Sequence, residues 1–274
     1  MNAKNYSDWL VVSDIDGTLN NQLRKTPKVN TDAIREFVHT KGGNFTLASA
    51  RNVQSLEPHY KNLPDVKTPA IVLNGAGIYD FTANKMLWFN PIGPKGKEVI
   101  TKAMKKFPML EVGILTDEMI FLIRPRISAP VMMALDSLTH KKVRCIDDVP
   151  TGNWGKVIFY CMPWNKQKIL DFVRNASDDT LAFIDTSSFS FDMVAYDTNK
   201  GTAVLKLAEI LGINEDNIGA IGDYYNDLDM LKAVKHSACC KQAPEDIHSI
   251  CEYSACHCND GAVADFISYI YKNY

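Results

Sequence analysis

The chain has 274 residues, 46% of them apolar and 23% charged, a composition that folds and buries one large core or two modest ones. Thirty Lys and Arg against thirty-two Asp and Glu leave a formal charge of −2, so no general attraction draws it to nucleic acid or to an anionic membrane. The apolar runs fall far short of the roughly twenty residues of a bilayer span, and the polar stretch Met1 to Asp8 lacks a secretory pattern, so the expected compartment is the cytoplasm.

Trp9 to Ser13 is an apolar run of strand length ending at Asp14. Thr31 to Lys41 places Ile34, Phe37 and Val38 at helical spacing before Gly42 and Gly43. Asn44 to Ala48 and Pro69 to Leu73 read as strands, with a helix from Val53 to Asn62 between them that Pro58 bends or shortens. Strands alternating with helices predict a parallel sheet covered on both faces. The texture then changes. Ile78 to Phe81 and Met86 to Phe89 read as strands joined by a turn at Thr82 to Lys85, and Glu111 to Thr116 with Met119 to Arg124 as a hairpin around Asp117-Glu118. Val131 to Leu138 reads as a helix, Lys156 to Met162 as a strand, Gln167 to Val173 as a helix and Thr180 to Asp185 as a strand. In Phe189 to Val194 the alternation of Phe189, Phe191 and Met193 predicts a half-buried strand. Hairpins with helices on one side suggest a separate α+β unit inserted into the first domain. From Thr202 the α/β rhythm resumes with a helix to Leu211, a strand at Ile218 to Ile221, helices at Leu228 to Val234, Glu245 to Cys251 and Val263 to Tyr271, and a strand at Ser237 to Cys240.

Chemistry gathers where these strands run out. Asp14-Ile15-Asp16-Gly17-Thr18 follows the first strand, and ligands in open α/β sheets collect at the carboxyl ends of strands. Two carboxylates two residues apart repel each other. They coexist when a cation neutralises one and the other takes a proton, which is the division of labour for a nucleophile and a general acid–base. An ordinary Asp-Gly turn would look the same in isolation. Gly219 to Asp227 repeats the logic, with Asp223 and Asp227 offering the oxygen ligands that Mg²⁺ takes, although acids at a helix start are also common caps. Leu47-Ala48-Ser49-Ala50-Arg51 offers a hydroxyl and a guanidinium suited to a phosphate, or merely an N-cap. Asn199-Lys200-Gly201 supplies a cation just before a helix, a place where lysine is usually solvated surface.

In this order the four segments resemble the haloacid dehalogenase superfamily of phosphotransferases, and more closely its Cof-type branch (subfamily IIB) of sugar-phosphate-type phosphatases. The resemblance implies a Rossmann-like α/β core at residues 1–81 and 193–274, with an inserted α+β cap at 82–192. It also implies Asp14 as the nucleophile forming an aspartyl-phosphate, Asp16 as the acid–base, Ser49 as a phosphoryl ligand and Lys200 as a charge balance. Mg²⁺ is then expected on Asp14, Asp16 through its backbone carbonyl, and Asp223, with Asp227 in support. Gly17, Thr18, Arg51, Asn74, Gly75 and Asn226 fall on the substrate side of the same pattern. Tyr224 and Tyr225 stand where relatives carry small or polar residues, and Cys240-Lys241-Gln242-Ala243 stands where Met-x-Asn-Ala is common.

The expected substrate is a small phosphorylated metabolite. Arg124 and Arg126 are candidates for a second anionic group on it, against the commoner reading of solvated surface. Trp88, Phe89, Trp154 and Trp164 read as packing. A sugar phosphomutase of the same superfamily and a non-catalytic phosphometabolite sensor are the alternatives. Of seven cysteines, Cys239, Cys240, Cys251, Cys256 and Cys258 crowd the end of the chain without C-x-x-C spacing, which favours inert thiols over zinc or a redox disulfide.

Overall fold

The computed structural model describes residues 4–117, 119–126 and 139–274. It resolves into two compact units. The first comprises Met1–Ala50, Glu57–Leu87 and Asn199–Tyr274, and the second comprises Arg51–Leu56 and Trp88–Thr198. The chain passes between them at 50/51, 56/57, 87/88 and 198/199, whereas the sequence expectation had two boundaries, at 81/82 and 192/193. The hairpin after residue 81 is built into the first unit's small sheet, and the strand reaching residue 195 is interior to the second unit's sheet.

In the first unit a five-stranded parallel sheet has the order β14-β13-β12-β1-β2. Its strands are β1 (Leu10–Ser13), β2 (Asn44–Leu47), β12 (Ile218–Gly222), β13 (His236–Cys240) and β14 (Tyr253–Ala255). Every residue of β1, β12 and β13 is buried, as expected of apolar, largely β-branched or small strands covered on both faces. Val11 of β1 registers with Gly219 of β12 on one side and Phe45 of β2 on the other. The helix α1 (Lys28–Arg35), which continues as a π turn over Glu36–Thr40, packs on α8 (Ala262–Asn273). The helix α5 (Lys200–Leu211) packs on α6 (Leu228–Ala233). Gly219 lies against Phe266 and Ile270 of α8, which places that helix on one face of the sheet. Between β2 and β3 (Ala70–Val72), Val53–Lys61 forms α2 around Pro58. The strands β3, β4 (Gly77–Asp80) and β5 (Lys85–Phe89) make a three-stranded sheet, and a single parallel bridge, Ala48 to Ile71, continues the main sheet into β3.

The second unit is a six-stranded sheet in the order β10-β11-β9-β6-β7-β8. It holds β6 (Glu111–Thr116), β7 (Ile120–Ile123), β8 (His140–Val143), β9 (Trp154–Tyr160), β10 (Leu181–Ser187) and β11 (Ser190–Ala195). The described pairings are antiparallel except β7 with β8. Val112, Ile114, Val157, Phe159, Phe191 and Met193 form one core with Val99, Ile100 and Ala103 of α3 (Pro94–Lys106) and Ile169, Leu170 and Val173 of α4 (Pro163–Ala176). Phe159 and Phe191 stack at its centre, centroids 4.9 Å apart and tilted by 15°.

Several expectations change here. The strand β11 is buried at all six positions, so it is not half-buried, and Phe189 lies outside it, 47% exposed. The residues between the expected inward positions include Asp192, which is affordable because Lys156 of β9 pairs with it at 3.0 Å, both side chains buried. Trp164 is 76% exposed rather than packed. The expected helix at Val131 to Leu138, and Glu118 of the hairpin turn, lie outside the described residues. Among the described residues no helix is long and apolar enough to cross a membrane.

Candidate active site

The sheet order makes β1 and β12 neighbours, so the loops leaving their carboxyl ends share one edge. Asp14 follows β1, and its backbone N–H donates to the Ile221 carbonyl of β12 at 3.0 Å. Asp223 follows β12 directly, and Asp227 closes the 3₁₀ turn Tyr225–Asp227. Oxygens of Asp14, Asp223 and Asp227 all lie within 4.8 Å of one another.

Lys200 enters this cluster from the first position of α5. Its side chain is wholly buried, and its Nζ donates to Asp14 Oδ1 at 2.5 Å and to Asp227 Oδ1 at 2.6 Å. The helix start is fixed by Asn199, whose side chain accepts from the Thr202 N–H at 2.9 Å. The other oxygen of Asp227 accepts from the backbone N–H of Asp223 at 3.0 Å and of Tyr224 at 3.4 Å. One buried carboxylate therefore holds both the lysine and the turn that carries Asp223.

Crowding of negative charge in a buried place shapes the titration. Burial, then the neighbouring Asp227, pushes the Asp14 carboxyl up to about 7, although Lys200 opposes the shift. Burial and Asp227 likewise push Asp223 up to about 6. Burial alone would lower Lys200, but the two carboxylates outweigh it and hold the ammonium above the usual lysine range, hence charged.

The loop between the first two acids is tightly built. Gly17 has φ +86°, and a Cβ there would stand 2.3 Å from Asp223 Oδ2, so only glycine fits. Thr18 is buried and its hydroxyl donates to Asp223 Oδ1 at 3.4 Å. Asp16 is exposed at the tip of this loop, bridged to Asn20. Ser49 is 3% exposed at the end of β2; its N–H donates to Ile71 and its carbonyl accepts from Asn74 N–H at 2.9 Å. Asn74 has φ +57°, and its Oδ1 is buried with no hydrogen-bond partner among the described residues. Leaving such an atom unpaired costs about 1–3 kcal/mol, which suits an amide that meets a bound polar group. Gly75, at φ +99°, lies so close to Asn199 that a Cβ would sit 2.0 Å from its carbonyl oxygen. Asn226 is exposed on the turn before Asp227.

Thus Asp14, Gly17, Thr18, Lys200, Asp223 and Asp227 come together in direct contact, with Ser49 joined to Asn74 and Gly75 beside Asn199. Arg51, Arg124 and Arg126 belong to the second unit. There the Arg124 guanidinium donates to the Met104 carbonyl at the end of α3 at 3.1 Å, and the backbone N–H of Arg126 donates to Glu111 Oε2 at 2.7 Å. Sequence reasoning set no role for Gln242. Its Nε2 donates to the Gly17 carbonyl at 2.5 Å and its Oε1 accepts from Cys258 N–H at 3.2 Å, so it ties the Gly17 loop to the end of the chain. The signal for it in the sequence was its place in Cys240-Lys241-Gln242-Ala243, where Met-x-Asn-Ala is common, which marks an amide without naming its partner.

The donor set suits a hard divalent cation. Three carboxylates within reach of one another, two of them driven toward protonation by burial and then by the charge of Asp227, are relieved by a cation such as Mg²⁺. Chemically, the edge combines an oxygen nucleophile, a fixed ammonium and a second, exposed carboxylate.

Comparison with known proteins gives the following. Residues 11–267 match the haloacid dehalogenase-like hydrolase family. A Bacillus subtilis (strain 168) protein named "Putative phosphatase YxeH" is 23% identical over 232 residues, covering 81% of this chain and 83% of that protein. A haloacid dehalogenase-like hydrolase from Bacteroides thetaiotaomicron has a similar structure, with a TM-score of 0.86 at 18% identity, covering 97% of this chain and 100% of that one. The HAD subclass IIB sugar phosphatase BT4131 superposes with a TM-score of 0.76 at 17% identity, covering 96% of this chain and 98% of that one.

Proposed function

Because the chain belongs to the haloacid dehalogenase-like hydrolase family, we propose that it is a Mg²⁺-dependent phosphatase that hydrolyses small sugar phosphates through an aspartyl-phosphate. The observation that carries this reading is the buried contact of Lys200 with both Asp14 and Asp227 beside Asp223. The sugar-phosphate class follows from the resemblance to subclass IIB and from its sugar phosphatase neighbour.

Phosphoryl transfer calls for an in-line nucleophile, an acid for the leaving oxygen and positive charge around the equatorial oxygens. An Asp14 carboxylate oxygen attacks phosphorus and the bond to the leaving oxygen breaks, while Asp16 gives that oxygen a proton. Exposure of Asp16 fits a group that meets first a leaving group and then water. Asp16 next takes a proton from water as the water oxygen attacks the aspartyl-phosphate, releasing phosphate and restoring Asp14. Lys200 favours the ionised form of Asp14 against the burial that opposes it, and offsets charge on the phosphoryl group. The Ser49 hydroxyl donates to a phosphoryl oxygen, and the buried Asn74 Oδ1 accepts from a hydroxyl of the substrate. Asp14, the Asp16 carbonyl and Asp223, braced by Asp227, would hold Mg²⁺, which supplies charge neutralisation at the phosphoryl oxygens.

A panel of phosphate esters assayed with Mg²⁺ and with EDTA tests the proposal. Metal-dependent phosphate release that vanishes in Asp14→Asn is expected. No release from any ester, or release unaffected by Asp14→Asn, overturns it.

A further inference from the structure

Away from that site, a compact group of reactive side chains remains without a role. Cys239 sits in β13, closed to solvent, with its Sγ 3.1 Å from His248 Nδ1 at the end of α7 (Glu245–His248). Cys251 is half-buried and packs against the apolar cluster of Leu231, Cys239, Ala243 and Ile247. His248 is held on both sides. Its Nε2 faces the Lys241 carbonyl at 3.3 Å, which can only accept, so the ring proton belongs on Nε2, and the Nδ1 lone pair faces the Cys239 thiol together with the Ser254 hydroxyl, also at 3.1 Å.

We propose that Cys239 and Cys251 form a redox-active dithiol, with His248 as its base, that hydroperoxides convert to a disulfide. The neighbouring thiols set the contrast. The Cys251 hydrogen bond and His248 hold Cys239 down to about 7 against the burial that would raise it. Burial pushes Cys161 up to about 11 and also raises Cys240, Cys256 and Cys258, while the neighbouring Cys239, and then burial, raise Cys251. The thiolate is the reactive form of cysteine, so oxidation selects Cys239. Because Cys239 is closed, the oxidant is a small one.

His248 takes the Cys239 proton, and the thiolate attacks one oxygen of hydrogen peroxide. An S–O bond forms, the O–O bond breaks, and the departing hydroxide recovers the proton from His248 as water. The Cys251 sulfur then attacks the sulfenic sulfur, forming S–S and breaking S–O, and the hydroxyl leaves with the Cys251 proton as a second water. The two sulfurs together give up two electrons and the peroxide takes them.

The test treats the intact protein with excess hydrogen peroxide, blocks remaining thiols with N-ethylmaleimide, and maps crosslinks by tandem mass spectrometry. A Cys239–Cys251 crosslink with Cys240 alkylated is expected. Formation should slow by about tenfold or more in His248→Asn, as the thiolate fraction falls, and in Cys251→Ser dimedone should label Cys239 as a sulfenic acid. Recovery of both residues as alkylated thiols after peroxide, or linkage of Cys239 to Cys240 or Cys258, overturns the proposal. The wild-type map decides this without any variant and without reference to phosphatase activity.

Discussion

Lys200 is the residue on which the cluster balances. Its ammonium is the charge that allows Asp14 and Asp227 to be buried together, so Lys200→Met leaves two carboxylates uncompensated. That variant should lose about 3–5 kcal/mol of stability, read by chemical denaturation at neutral pH. Acidity gives a second test at this scale. Asp14 and Asp223 have folded-state pKa values near 7 and 6 against an ordinary 3.8. For an acid shifted upward, both states are protonated below the unfolded value, and as pH rises the unfolded chain ionises first. The metal-free protein should therefore lose stability between pH 3.8 and about 7. Thermal melts should show Mg²⁺ raising the midpoint more at pH 8 than at pH 5. Asp16→Asn, which removes a proton shuttle while leaving that cluster intact, should lower kcat by roughly 10²–10⁴-fold with little change in melting temperature. The acids were legible in the sequence because each ends an apolar run. Lys200 was visible only through its resemblance to a family pattern, since a lysine at a helix start looks like surface until the helix is placed. Gln242 was legible only as an amide in a segment where relatives carry Met-x-Asn-Ala, and its contact was not, because Gly17 is distant in the chain and touched only through backbone.

At the scale of elements, the parallel strands were readable because burial on both faces writes itself as uninterrupted apolar residues, as in Leu10 to Val12 and Ile218 to Ile221. The strand β8 escaped notice because His140-Lys141-Lys142-Val143 is a basic edge without alternation, and β14 because three residues are too few to show a period. The helix α3 hid behind Pro94, Gly96 and its lysines. The spacing of Val99, Ile100, Ala103 and Met104, all buried, was the signal available for it. The contact between the Asn74-Gly75 turn and the start of α5 is also an element-scale feature. Gly75→Ala would place a methyl against the Asn199 carbonyl at a positive φ, so it should destabilise by more than about 1 kcal/mol. Because Asn199 caps the helix that begins with Lys200, kcat should fall as well, and denaturation and steady-state assays on one preparation check both.

Over the whole molecule, the near-neutral charge conceals acids concentrated at one sheet edge, and the two units carry separate cores. Phe159→Ala removes half of the stacked pair at the centre of the second core and should cost about 3–5 kcal/mol. Hydrogen exchange should report that loss in amides of 88–198 and leave β1 and β12 protected. The first unit is assembled from three stretches of chain while the second is nearly continuous, and this bears on biosynthesis. Asp14 and the lysine that neutralises it are 186 residues apart, roughly ten to forty seconds of translation at about 5–20 residues per second. Through that interval β1 has no β12 beside it. On the ribosome the intervening unit can close around its own core while the acid loop waits, solvated and inactive, for the last third of the chain to emerge.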